Sequence, residues 1–222
     1  KLNLFESFDP STSMNFSMNW FSLLLIFIIF PLNYWIIPNR FEMFFIFISK
    51  IIFTEFKSLS KNKYKINIMI FFNILIFIAL SNFMGLFPYI FTNTSHMSFN
   101  LILALSFWMS FFIFSWWNKP MLTLIHLVPL NTPSSLMNFM VMIELISNII
   151  RPFTLAIRLT ANMIAGHLLL TLLGTFISNF LLFIPFSIII QNLLLILEIA
   201  VAFIQAYVFS ILSLLYFLES KI

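Results

Sequence analysis

Residues 148–174 read NIIRPFTLAIRLTANMIAGHLLLTLLG, and Arg158 stands in the middle of that apolar run. The stretch is long enough for a membrane helix, which needs ~20 predominantly apolar residues. After Arg158 the next formal charge is Glu198, with only neutral residues and His167 between them. A guanidinium keeps its proton at any reachable pH. Holding it at bilayer depth costs ~2.5–3.5 kcal/mol or more. A residue that expensive faces a bundle interior, a water-filled cavity or a carboxylate on a partner. The segment therefore predicts a working membrane helix and not a simple anchor.

The rest of the chain has the same character. Of its 222 residues 62% are apolar and 8% charged, with a mean hydropathy of +1.07. Soluble domains carry about 25% charged residues, so the composition predicts a polytopic, all-α membrane protein of five to six helices. The net charge of +4 does not point to nucleic acid, because the lysines concentrate beside the membrane and no soluble basic domain is present. Cysteine is absent, which excludes thiol catalysis, disulfides and Cys-ligated metal. No phosphate-binding glycine loop occurs, so nucleotide chemistry would lie on other chains. The 32 Phe set against three Gly, and the three Arg, fit an A+T-rich, organellar genome. The first residues are acidic and polar and do not read as a cleavable signal. The chain begins with Lys1, which points to a missing initiator.

Apolar runs and polar breaks predict one membrane domain over 1–222. Spans are expected at 16–37, 66–87 and 97–117, the last ending in an interfacial Trp pair. Residues 40–60 mix charges with Phe and Ile and predict an amphipathic helix in the interface. A Lys-rich cluster follows at 61–65, and residues 88–96 read as a loop. Residues 134–174 and 186–217 predict a long, tilted, antiparallel helix hairpin. If the spans alternate, both Lys-bearing loops share the negative face of the membrane.

That hairpin carries the ionisable groups. Glu144 with Glu219, Arg158 with Gln205, and His167 with Glu198 have nearly constant position sums, so a turn near position 182 would set them level. At 100° per residue Glu144, Asn148, Arg151, Arg158 and Asn162 form one narrow stripe, and His167 falls on another flank. Two acid–base stations on either side of a fixed positive charge suit two separate proton entries. Arg151 precedes Pro152 and also fits a structural reading, satisfying carbonyls freed by the proline. Six of the eight alanines fall in the hairpin (Ala156, Ala161, Ala165, Ala200, Ala202 and Ala206), joined by Gly166 and Gly174. Small residues permit close helix approach in lipid, so a partner helix is expected near Arg158. His96 and His126 receive no role, and histidines so scattered make no metal site.

Several stretches together resemble the subunit a (ATP synthase A chain) family of mitochondrial ATP synthases. They are RLTANMIAGHLLLTLLG at 158–174, NFMGLFPYIFTNTSH at 82–96, HLVP at 126–129, ELISNIIRP at 144–152, LEIAVAFIQAYVF at 197–209 and NLFESFDPST at 3–12. The resemblance covers nearly the whole chain. It implies the proton-conducting stator subunit, with no catalytic site and no cofactor of its own. Its partners would be a ring of c subunits, other membrane and peripheral-stalk subunits, the lipid bilayer and protons as cargo, in the mitochondrial inner membrane. It also implies that the Lys-bearing face is the matrix face.

By the same resemblance Arg158 is the essential arginine. His167 and Glu198 match an intermembrane-space half-channel, and Glu144 and Glu219 a matrix half-channel. Asn162 and Gln205 match polar neighbours of the arginine. Bacterial members have an acid where His167 stands and a His where Glu198 stands, as expected for a pair. Mitochondrial members often have Asp at the Glu219 position. Two other classes fit the composition: a secondary transporter, although no inverted repeat is visible, and a structural subunit of another respiratory complex.

Overall fold

Each apolar run becomes a helix, because lipid offers no partner for backbone N–H and C=O groups. The computed structural model describes residues 5–12, 16–29, 36–60, 65–128, 133, 136–180 and 184–221. Its helices are α1 (Ser22–Ile29), α2 (Arg40–Leu59), α3 (Lys65–Gly85), α4 (Met97–Asn118), α5 (Pro120–His126), α6 (Met137–Asn179) and α7 (Ile184–Lys221). Short 3-10 turns lie at Glu6–Phe8, Met18–Phe21 and Asn93–Ser95. No strand occurs among the described residues. Four helices (α3, α4, α6 and α7) are long and apolar enough to cross a membrane. The protein is an all-α, multi-pass membrane protein.

The expected first span, 16–37, is helical from Met18 to Ile29; positions 30–35 lie outside the described residues. So do positions 61–64 of the Lys-rich cluster, 129–132 and 134–135 before α6, and 181–183 of the hairpin turn. The amphipathic segment expected at 40–60 is α2. The Asn39 N–H donates to the Glu42 carboxylate at 2.9 Å, which closes its first turn. Glu42 in the first turn and Lys57 in the last suit the helix dipole. Phe56, fully buried, ties α2 into the core, while Phe41, Phe44 and Phe47 stay exposed as an apolar face. The Tyr207 hydroxyl donates to Glu55 Oε2 at 3.1 Å and links α2 to α7.

Helix α6 has 43 residues and α7 has 38. At ~1.5 Å per residue each is roughly 60 Å long, about twice the ~30 Å hydrocarbon thickness. A helix this long exceeds the hydrocarbon layer unless it tilts, kinks or extends beyond it. Helix α6 runs past Gly174 to Asn179, because one Gly costs only ~1 kcal/mol in a helix and does not end it. Pro185 sits in the first turn of α7, where its missing N–H is harmless.

The core forms where α3 packs on α7 and α4 packs on α6. Ile68, Phe71, Leu75, Ile78 and Asn82 recur at helical spacing along α3 and are buried. They meet Ala202, Ala206, Phe209 and Phe217 of α7. Small alanines let the two backbones approach closely, and the Asn82 side chain donates to the Ala202 carbonyl at 3.3 Å.

The expected loop at 88–96 is not a surface loop over its second half. Thr92, Asn93, Thr94 and Ser95 are buried against α6, α3 and α4. Such backbone survives at depth only when it is satisfied internally. The Asn100 amide donates to the Thr94 carbonyl at 2.7 Å, Asn93 Nδ2 donates to Ser22 Oγ at 2.8 Å, and Ser95 Oγ donates to the Thr92 carbonyl at 2.7 Å. Phe56→Ala is expected to cost about 3 kcal/mol by opening a cavity. It should lower the thermal midpoint of the detergent-solubilised protein, whereas Phe47→Ala on the exposed face should not.

Candidate functional site

Gly166 of α6 packs closely against Glu198 of α7. A Cβ added at Gly166 would lie 2.8 Å from Glu198 Oε1 and 2.9 Å from its Cδ. Only a residue without a side chain leaves that notch, and the Glu198 carboxylate fills it. Glu198 is 7% exposed, and neither carboxylate oxygen has a hydrogen-bond partner among the described residues. Buried polar groups are nearly always satisfied, so these oxygens are set for water or a proton. His167, the next residue along α6, turns about 100° away from Gly166. Its ring meets Phe8 edge-on at 6.3 Å, beside the backbone of Gly85 at the end of α3. Its Nε2 is buried and also unsatisfied. His167 and Glu198 are therefore neighbours at one level without a direct ion pair. The notch at Gly166 captures the carboxylate, and the helical rotation carries the imidazole to the other flank.

Arg158 is exposed and forms no ion pair among the described residues. It lies on an outward stripe of α6 that includes Thr154, Ala161, Ala165, Leu169 and Leu172, all exposed. At 100° per residue these positions fall on one face. Ala200, Phe203 and Ile204 are the exposed counterparts on α7. The alanines thus divide by role. Ala156, Ala202 and Ala206 are buried in the internal packing, whereas Ala161 and Ala165 are exposed on the arginine's stripe of α6 and Ala200 is exposed on α7. Asn162 and Gln205 are half-buried. No hydrogen bond joins Gln205, half-buried, to the exposed Arg158 among the described residues.

At the other end of the hairpin Glu144, Asn148, Arg151, Tyr216 and Glu219 line one cleft of ≈ 350 Å³, with Lys119 and Trp108 from α4 and its end. Glu144 and Glu219 share this cleft, as the sequence pairing expects, but they do not pair. Like charges repel, and Arg151 stands two turns along the same stripe as Glu144. Its Nη1 donates to Glu219 Oε2 at 2.8 Å, and its guanidinium lies 5.2 Å from the Tyr216 ring centroid. The Arg151 side chain is thus committed to α7 and not to the carbonyls that Pro152 frees.

A family model described as ATP synthase A chain matches residues 15–218. The chain belongs to the ATP synthase A chain family. It is 54% identical over 220 residues to "ATP synthase subunit a" of Apis mellifera ligustica, covering 99% of this chain and 97% of the relative. It is 52% identical to the protein of that name in Locusta migratoria and 50% identical to the one in Drosophila melanogaster, each match covering 96% of both chains.

Several parts of the site were not legible beforehand. Gly166 was visible as a small residue, but its notch depends on which α7 side chain meets it. Phe8 and Gly85 approach His167 only through tertiary packing, and Gly85 being one of three glycines was the available signal. The Arg151–Glu219 pair was hidden because the pairing rule matched carboxylate with carboxylate.

Gly166→Ala should drive the Glu198 carboxylate out of the notch by about 0.7 Å or more, the shift from 2.8 Å to ordinary carbon contact. Infrared difference spectra against Glu198→Gln would show a displaced carboxyl band. Ala165→Gly, on the exposed face, should leave the band in place.

Proposed function

We propose that this chain is the proton-conducting stator subunit of the mitochondrial rotary ATP synthase, seated in the inner membrane against the ring of c subunits. It would form two offset half-channels that load and unload the ring carboxylates. The observation that carries this reading is Arg158, an exposed cation with no ion pair among the described residues, on a stripe of α6 beside Ala161 and Ala165 and between two polar stations. An arginine held this way is open to an anion from outside, and small neighbours suit a passing helix. The relatives, named ATP synthase subunit a, support the same assignment.

In this mechanism a proton enters from the intermembrane space by way of His167 and Glu198 and neutralises a ring carboxylate. The neutral carboxyl can enter lipid, where an ionised one is prohibitively expensive. After nearly a full turn the carboxyl meets the cleft that holds Glu144 and releases its proton toward the matrix. Arg158 attracts the ionised ring carboxylate as it crosses between stations, with Asn162 and Gln205 as polar neighbours. Along α6 Glu144 lies ~21 Å before Arg158, and His167 ~14 Å beyond it, at a helical rise of ~1.5 Å per residue. Those separations keep the two paths from joining. Each proton falling through 100 mV supplies ~2.3 kcal/mol. Arginine suits the barrier better than lysine, which sheds its proton in a dry site and would leak.

Arg158→Ala in the assembled, reconstituted complex is expected to abolish ATP-driven proton pumping while ATP hydrolysis persists. Pumping that stays coupled in that variant would overturn the reading.

A further inference from the structure

We propose that Arg151 is a positioning residue that separates the duties of the two carboxylates in the cleft. It holds Glu219 as a fixed anion and leaves Glu144 as the carboxylate that exchanges protons. This rests on the proton-conducting role proposed above and assigns the residues of its matrix side.

The geometry treats the two acids unequally. Glu219 is bound by Arg151 at 2.8 Å, and the guanidinium is further held over Tyr216 at 5.2 Å. Glu144 lines the same ≈ 350 Å³ cleft and has no ion pair among the described residues. Glu144 precedes Arg151 on the same stripe by about two turns, ~10 Å, so it lies beyond the guanidinium's bond to Glu219 yet shares its cleft.

The Arg151–Glu219 pair is partly open to solvent, with side-chain exposures of 33% and 59%. Such pairs add only ~0–1 kcal/mol to stability, so stability alone does not account for it. Its larger effect is on charge. A guanidinium keeps its charge at any reachable pH, so it balances the negative charge of the acid bound to it. Without Arg151 the cleft would hold two unpaired carboxylates, Glu144 and Glu219, repelling one another with Lys119 at the rim. A proton leaving Glu144 would then create a second uncompensated negative charge in one small space.

The test is ATP-driven proton pumping per ATP hydrolysed, with the assembled complex in vesicles and the amount of this chain in the complex measured alongside. Arg151→Gln is expected to lower pumping by about fivefold or more, the range of coupling between contacting charges. Adding Glu219→Gln to that variant should recover most of the loss, because it removes the stranded anion. Arg151→Lys should retain most of the pumping, since a point charge still neutralises Glu219. If Arg151→Gln/Glu219→Gln pumps no better than Arg151→Gln alone, Glu219 is itself a proton carrier and the inference fails. Parent-level pumping by Glu144→Gln would also overturn it. Failure of the broader reading is recognised separately, by coupled pumping in Arg158→Ala.

Discussion

A charge that cannot be discharged, held in a medium that cannot solvate it, is the constraint on which the structure turns. Arg158 keeps its proton and has no ion pair among the described residues. The two longest helices are arranged so that it remains open. Helix α6 turns Leu155, Ala156, Leu159 and Met163 inward, all buried, and turns Thr154, Arg158, Ala161 and Ala165 outward. Burying the first set supplies the packing that holds the second in place. The outward set is small enough for another helix to come close.

The remaining elements hold that hairpin. Helix α3 packs along α7 through Ile78, Asn82, Ala202 and Ala206, and its end brings the Gly85 backbone to His167. The buried turn at Thr92–Ser95 seals the same region. A Cβ at Gly85 would stand 3.1 Å from Thr92 Cγ2, so turn and helix are in close contact. Helix α2, pinned by Phe56 and by the Tyr207–Glu55 hydrogen bond, braces α7 from outside. Polar groups at depth are costly, and several buried ones are bonded internally, as Asn82 is to Ala202 and Asn100 to Thr94.

The two stations differ in build, and the difference follows from the partners available. Glu198 lies buried in a glycine notch with neither oxygen hydrogen-bonded among the described residues. Glu144 and Glu219 lie in an open cleft where an arginine distinguishes them. A buried, unpaired carboxylate and a solvent-lined, partly paired one fit opposite ends of a transfer path. At each end one acid has no ion pair among the described residues.

Sequence alone determined the membrane class and the all-helical fold, because a lipid medium makes every charge and every polar break conspicuous. Arg158, His167, Glu198 and Glu144 stand out for that reason, and the antiparallel order of the last two helices follows from length and spacing. Tertiary structure decided which neighbours meet. Helical spacing sets a side chain's angle to about a turn, but contact depends on crossing geometry and on side-chain reach. Glu198 went to Gly166 and not to His167, because the missing Cβ left room there. Glu219 shares a cleft with Glu144 but bonds Arg151, because opposite charges attract and like charges do not. The loop after α3 went inside, because its Thr, Asn and Ser side chains could satisfy one another.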